Sequence, residues 1–157
     1  QLGRTMAAMR KSLEVKVLEA KGCGVDTANV IQVTLLDFTK NRIGTSVQTK
    51  ALKVGDPCYN ETFTLGDEYE FHEDVPPTVY FELLDKGYFQ TNTRGLVSVS
   101  TDSIPNEQPF EPTKPEWYTF KPKKLVFKSS KGDTKKADKS VSGAVKLKVQ
   151  LCWKVPE

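Results

Sequence analysis

The sequence contains few of the residues that catalysis, metal binding and membrane insertion require. Its 157 residues include three cysteines and one histidine. No apolar run approaches the ~20 residues that a membrane-spanning helix needs, and no apolar signal-peptide core lies near Gln1. We therefore expect one globular domain, large enough to form a hydrophobic core without metals or disulfides.

The cysteines and the histidine do not form a recognisable site. Cys23, Cys58 and Cys152 are odd in number and widely spaced. This pattern predicts reduced thiols in a cytosolic protein rather than a disulfide framework or a zinc site. His72 lies in an acidic stretch and is interpreted as a solvated loop residue. The sequence also has no dinucleotide-binding, phosphate-loop or zinc-protease motif. We therefore expect no enzymatic activity, no cofactor and no metal.

Positive charge is concentrated in one segment. The net charge of the chain is +3, but residues 121–139 contain eight lysines against Asp133 and Asp138, a net charge of +6, which leaves −3 for the rest. The lysines are Lys121, Lys123, Lys124, Lys128, Lys131, Lys135, Lys136 and Lys139. Such asymmetry indicates a surface for phosphate groups or an acidic partner, the alternative being a solvated loop.

Alternation of apolar and polar residues predicts an all-β fold. Leu13, Val15 and Val17 share one face of a first strand, and residues 145–153 alternate in the same way in a last strand. Six further segments are rich in β-branched or aromatic residues and are bounded by turn residues: 30–38, 45–54, 61–65, 78–84, 95–99 and 117–120. The pattern predicts an eight-stranded antiparallel β-sandwich.

The same pattern predicts a simple domain organisation. We expect an N-terminal tail over residues 1–11 and a single domain over residues 12–157. Because Gly143 and the last strand follow the lysine-rich segment, that segment is interpreted as an insertion within the domain, over residues 121–142. Its apolar residues 125–127 are predicted to form either a short extra strand or an exposed tip.

The segment 49–63 resembles a turn of the C2-domain family. The family motif is Asn-Pro-x-Trp-Asn-Glu-x-Phe, in which Asp56 and Tyr59 here replace the asparagine and the tryptophan. The matching residues are Pro57, Asn60, Glu61 and Phe63. The first strand, the strand at Trp117 and the closing strand are also similar to the family, in the order of its permuted, phospholipase-like topology. The resemblance covers roughly residues 12–155 and implies a C2-like Greek-key sandwich.

The resemblance also allows calcium binding to be judged. Calcium takes six to eight oxygen ligands, and calcium-binding C2 domains supply about five carboxylates from two loops. Here the first loop has only Asp26 and the third loop keeps Asp85, whereas Ala28 and Gly87 stand at positions where the family has aspartates. The sequence therefore predicts no functional calcium site.

Strand parity predicts where the candidate binding residues lie. If the strands alternate in direction, the connections 21–29, 54–60, 85–94 and 121–143 emerge at one end. Lys86, Tyr88, Phe89 and Arg94 then lie beside the lysine-rich insertion and are candidates for contact with lipid headgroups. The alternative is that the aromatic pair packs on the body. Lys50 and Lys53 match a lysine-rich groove of the family, unless they belong to a solvated strand face.

Two functions fit these residues. The sequence favours a non-catalytic, C2-like module of a larger cytosolic signalling or trafficking protein that docks peripherally on anionic phospholipid membranes without calcium. The alternative is a protein–protein interaction module, for another protein or for a second copy, with strand 144–153 offering an edge or a face. We do not expect nucleic-acid binding, because arginines are scarce and no aromatic stacking platform lies among the lysines.

Overall fold

The chain is built almost entirely of short antiparallel β-strands. A computed structural model describes residues 9–67, 70–71, 74–122 and 145–155. The strands are β1 (Met9–Arg10), β2 (Ser12–Lys21), β3 (Ala28–Leu36), β4 (Val47–Gln48), β5 (Cys58–Leu65), β6 (Glu70–Phe71), β7 (Thr78–Lys86), β8 (Thr91–Ser100), β9 (Glu116–Thr119), β10 (Lys121–Pro122) and β11 (Lys146–Lys154). One turn of 3-10 helix follows β8 at Thr101–Ser103.

The strands form two main sheets. One has four strands in the order β5-β2-β11-β9, and the other has five in the order β10-β8-β7-β3-β4. The eight predicted strands correspond to β2, β3, β4, β5, β7, β8, β9 and β11, so the predicted all-β antiparallel sandwich is confirmed. The first and last long strands, β2 and β11, pair along nearly their full length. Strand β11 is also paired with β9 over Lys146–Val149, so this part of β11 offers a partner its outer face but no free edge.

The core lies between the two sheets, because apolar side chains alternate along each strand. Val15 of β2 and Leu151 of β11 are opposite one another and fully or almost fully buried. Phe81 of the central strand β7 is also fully buried. Each such side chain contributes roughly 1.5–3 kcal/mol through burial. The two packed sheets form the core that supports the loops.

A β-bulge interrupts the alternation in β2. Val17 pairs with Val149 and Glu19 pairs with Lys148, so Leu18 is the extra residue. The side-chain phase therefore shifts by one residue, which is why Ala20 is buried and Lys21 is exposed. Without the bulge, Lys21 would share the inward face with Leu13.

The predicted strand 45–54 is shorter in the structure. Only Val47–Gln48 forms a ladder with β3, although Leu52 makes a further bridge to Asn29. The interruption has a local cause at Thr49, because the Ile31 N–H donates a 3.0 Å hydrogen bond to the Thr49 hydroxyl. The next backbone N–H, that of Lys50, donates a 2.9 Å hydrogen bond to the Glu61 carboxylate. Lys50 is thereby fixed beside β5.

The predicted tail is anchored from Met9 onward. Met9 and Arg10 pair with Phe71 and Glu70 to form a two-stranded sheet. The Lys11 side chain is buried, with its Nζ 4.0 Å from the centroid of the Trp153 ring. Strand pairing thus begins inside the predicted tail of residues 1–11, of which residues 1–8 lie outside the described part.

Candidate functional site

Three loops meet at one end of the sandwich, as strand parity predicts. They are loop 1 (residues 22–27), loop 2 (residues 49–57) and loop 3 (residues 87–90), and together they define the loop end. The Cys23 N–H donates to the Gly55 carbonyl at 2.8 Å, and the Gly22 N–H donates to the Asp56 carboxylate at 2.9 Å. The Thr27 hydroxyl donates to Asp85, where β7 ends. Hydrogen bonds therefore join loop 1 to loop 2 and to the end of β7, from which loop 3 begins.

Asn29, at the start of β3, is a central brace of this end. Its side-chain amide is completely buried and donates to the carbonyls of Gly24 at 2.7 Å and Val54 at 3.0 Å. Its backbone carbonyl accepts a 2.8 Å hydrogen bond from the Tyr59 hydroxyl. One side chain thus fixes loops 1 and 2 relative to the core, and the family resemblance alone did not single it out.

Two ionisable groups beneath the loops, the Cys23 thiol and the Tyr59 hydroxyl, have pKa values that are raised by burial. Burial raises the pKa of the Cys23 thiol to about 11, while nearby Arg94 lowers it and Asp56 raises it. Burial also raises the pKa of the Tyr59 hydroxyl. Both groups are therefore protonated at neutral pH. The three cysteines are free thiols, of which Cys23 is buried and Cys58 is exposed.

The loop end exposes several apolar side chains. Tyr88 and Phe89 of loop 3 are 92% and 89% exposed, and their rings pack edge to face with centroids 4.7 Å apart. Val25 of loop 1 is 60% exposed and Val54 of loop 2 is 46% exposed. Each of the three loops thus presents an apolar side chain to solvent. The alternative that Tyr88 and Phe89 pack on the body is wrong, and the sequence did not indicate Val25 or Val54.

Carboxylates are few at this end. Asp26 is exposed, whereas Asp85 accepts the hydrogen bond from Thr27 and Asp56 accepts the one from Gly22. Within the described residues, no group of three or more His, Cys, Asp or Glu side chains is placed to hold a metal ion. A calcium ion needs six to eight oxygens, so this carboxylate set does not fit one.

Known proteins match this chain in structure but not in sequence. No protein-family model matches the sequence, and no curated protein matches it. Among solved structures, human GIVD cytosolic phospholipase A2 matches with a TM-score of 0.64 and 16% identity, covering 96% of this chain and 16% of that chain. A structure described as a C2 domain matches with a TM-score of 0.56 and 12% identity, covering 92% of this chain and 99% of that chain. The chain has the C2 fold.

A further solved structure with C2 domains also matches this chain. The calcium-bound pair of C2 domains of Extended-Synaptotagmin 2 matches with a TM-score of 0.57 and 15% identity, covering 94% of this chain and 47% of that chain. The expected C2-like sandwich is thus confirmed at the level of the fold. The present chain spans less than one fifth of the phospholipase chains that it matches.

The predicted cationic residues differ in their exposure and in their distance from the loop end. Lys86 is exposed at the end of β7 beside loop 3, and Lys53 is exposed in loop 2 next to Val54. Arg94 is half-buried in β8, and its guanidinium group lies close to loop 1. Its Nη1 atom is 3.5 Å from the position that a Cβ atom at Gly24 would occupy. Lys50 belongs to loop 2 but lies beside β5, because its backbone N–H donates a hydrogen bond to the Glu61 carboxylate.

The lysine-rich insertion leaves the body near the loop end. Lys121 of β10 is exposed and pairs with Leu96, and Pro122 pairs with Gly95 in the half of β8 that leads from loop 3. The chain is described again from Val145, whose carbonyl accepts a 2.9 Å hydrogen bond from the Phe120 N–H. The predicted residues Lys123, Lys124, Lys128, Lys131, Lys135, Lys136 and Lys139, with the apolar residues 125–127, lie outside the described residues.

Proposed function

We propose that this C2 fold is a non-catalytic module that docks peripherally on anionic phospholipid membranes through its loop end, without calcium. The single observation that carries the proposal is the exposed apolar surface of three adjacent loops: Val25, Val54, Tyr88 and Phe89. Loops 1 and 2 are hydrogen-bonded to one another and to Asn29, so they can present Val25 and Val54 without much further loss of conformational entropy. Aromatic rings are favourable at the headgroup level of a bilayer.

The electrostatics of the same end support an anionic surface as the partner. Lys53 and Lys86 flank the apolar side chains, and the segment 121–139, whose first residue Lys121 lies in β10 near this end, carries a net charge of +6. Each lysine near an anionic membrane contributes about 1 kcal/mol, screened within a Debye length. A few engaged lysines and four apolar side chains give reversible docking, which suits one module of a larger cytosolic protein.

Calcium independence rests on the carboxylate geometry. Asp85 is engaged by the Thr27 hydroxyl, and Arg94 brings a permanent positive charge to loop 1. A divalent cation would therefore find too few oxygen ligands and would be repelled by the positive charge of Arg94. Within the described residues, no helix is long and apolar enough to cross a membrane.

Protein docking is the second candidate function. The edge-to-face pair of Tyr88 and Phe89 favours it, because exposed aromatic residues are frequent anchors of protein interfaces. Light scattering on the isolated chain tests the case in which the partner is a second copy. A concentration-dependent dimer that is lost when both rings are removed would favour this function.

Vesicle sedimentation tests the proposal. At low salt the chain is expected to bind phosphatidylserine-containing vesicles but not phosphatidylcholine vesicles, and salt should weaken binding steeply. Replacing Lys123, Lys124, Lys135 and Lys136 by glutamate changes the charge of residues 121–139 from +6 to −2 and should nearly abolish binding. The same change at Lys50 and Lys53 should have a smaller effect. Failure of the unmodified chain to bind acidic vesicles at low salt would exclude membrane docking.

A further inference from the structure

A second cationic surface lies on the outer face of the four-stranded sheet. It consists of Lys21 of β2, Lys146 and Lys148 of β11, and Trp117 of β9, which we call the Trp117 cluster. The Nζ atoms of Lys21 and Lys148 lie 4.3 Å and 5.6 Å from the centroid of the Trp117 ring. The ring, 38% exposed, orients both ammonium groups by cation–π attraction.

The β-bulge at Leu18 creates this cluster. Because it shifts the side-chain phase of β2, Lys21 lies on the outer face, where it pairs directly with Lys146. Bulges commonly re-aim a side chain in this way. The bulge therefore brings the ammonium groups of Lys21 and Lys148 to one indole and sets Lys146 opposite Lys21 on the same face.

The cluster carries an uncompensated positive charge. Like charges opposite one another on neighbouring strands are destabilising. In the part of the chain that the structure describes, neither Lys21 nor Lys146 has an ion-pair partner, and Lys148 has only Glu19, at 3.8 Å and largely solvated. Two opposed lysines that lack an ion-pair partner within the described residues, beside a single carboxylate at Glu19, are suited to an anion from outside the chain.

The position of the cluster indicates where that anion comes from. Lys21 directly precedes loop 1, whose Val25 is exposed, and Lys146 is the first residue of β11 at the same end. The outer face of the sheet is thus continuous with the apolar loop end. A lipid headgroup standing above the bilayer surface could be reached from it while the loops contact the membrane.

We propose that the Trp117 cluster binds a phosphomonoester group of a membrane-lipid headgroup. A phosphomonoester carries a charge of about −1.5 to −2 at neutral pH and several acceptor oxygens, which matches two or three converging ammonium donors better than a singly charged phosphodiester does. This inference rests on the proposed membrane docking and adds a preference between anionic lipids to it.

The test compares two kinds of vesicle of equal surface charge, one containing phosphatidic acid, a phosphomonoester lipid, and the other phosphatidylserine. The unmodified chain is expected to bind phosphatidic acid vesicles more tightly. The double variant Lys21→Gln/Lys146→Gln should lose this preference, with binding to phosphatidic acid weakened roughly ten-fold or more. A matched control, Lys16→Gln/Lys154→Gln, changes the same charge on the same two strands outside the cluster and should keep the preference.

A soluble probe separates this inference from the proposed function. Short-chain, water-soluble phosphatidic acid should shift the indole N–H resonance of Trp117 and leave that of the buried Trp153 unchanged. A Trp117 shift without vesicle binding would overturn membrane docking but keep the site. Vesicle binding that is equal for the two lipids and unaffected by Lys21→Gln/Lys146→Gln would overturn the site and keep membrane docking. A melting temperature of the double variant at or above that of the unmodified chain shows that it is folded.

Discussion

The side-chain amide of Asn29 lies 3.0 Å from the carbonyl oxygen of Val54, so the second residue of β3 holds the loop that exposes the Val54 side chain. A second hydrogen bond from the same amide, 2.7 Å long, fixes the Gly24 carbonyl. The loop end is consequently an extension of the core, and its stability and its binding surface depend on the same few contacts.

Replacing Asn29 by alanine should destabilise the fold by about 2 kcal/mol, because two carbonyls lose their donor in a buried place. For a domain of this size the melting temperature should fall by about 4–8 °C, measured by circular dichroism. Asn41→Ala is the control, since Asn41 makes its side-chain hydrogen bond on the surface. Equal effects of the two substitutions would show that Asn29 is not a brace.

Removing the charge of Lys146 should stabilise the fold slightly at low salt. Lys146 is opposed by Lys21, so Lys146→Gln relieves a repulsion of about 0.5 kcal/mol. Lys154→Gln in the same strand removes instead a 3.4 Å ion pair with Glu14 and should be neutral or slightly destabilising. Urea denaturation at low and high salt measures both, and the gain for Lys146→Gln should vanish when salt screens the charges.

Stability should fall as the pH rises from about 9 to 11. Burial raises the pKa of the Cys23 thiol from 9.0 to about 11, so in this range the unfolded chain releases a proton that the folded chain retains. Since stability falls with pH wherever the folded state binds more protons, the loss attributable to Cys23 at pH 10.5 is about 2 kcal/mol. Denaturation of the unmodified chain and of Cys23→Ala at pH 8 and pH 10.5 isolates this contribution, and parallel losses in both proteins would contradict it.

Calcium should change neither stability nor binding. A site occupied at one hundred times its dissociation constant would add about 2.7 kcal/mol to the free energy of unfolding. Thermal melts with millimolar calcium and with chelator should therefore coincide, and so should vesicle binding under the two conditions. A rise of several degrees with calcium would restore Asp26 and Asp85 as ligands and would remove calcium independence from the proposed function.

Much of the fold could be predicted from the sequence because each long strand carries its own period-two pattern. The alternation of Leu13, Val15 and Val17 identified β2, and the turn around Pro57 suggested the C2 resemblance. The pairing of Met9–Arg10 with Glu70–Phe71 could not be predicted, since two-residue strands have no period of their own.

The functional surfaces were predictable in part. Adjacent aromatic residues in a loop identified Tyr88 and Phe89, whereas single valines such as Val25 and Val54 give no signal until the loops are brought together. The Trp117 cluster depends on the pairing of two strands from opposite ends of the chain and on one bulged residue. Neither feature is visible in a local sequence window.

The central claim is that the loop end enters the membrane surface, and one comparison of aromatic variants tests it most directly. Tyr88→Ser/Phe89→Ser removes the exposed rings of loop 3, and Phe38→Ser removes an aromatic side chain that is 65% exposed in the turn after β3, at the opposite end. Binding to phosphatidylserine vesicles should weaken roughly ten-fold or more for the first variant and stay unchanged for the second. Equal binding by both variants and the unmodified chain would contradict docking through the loop end.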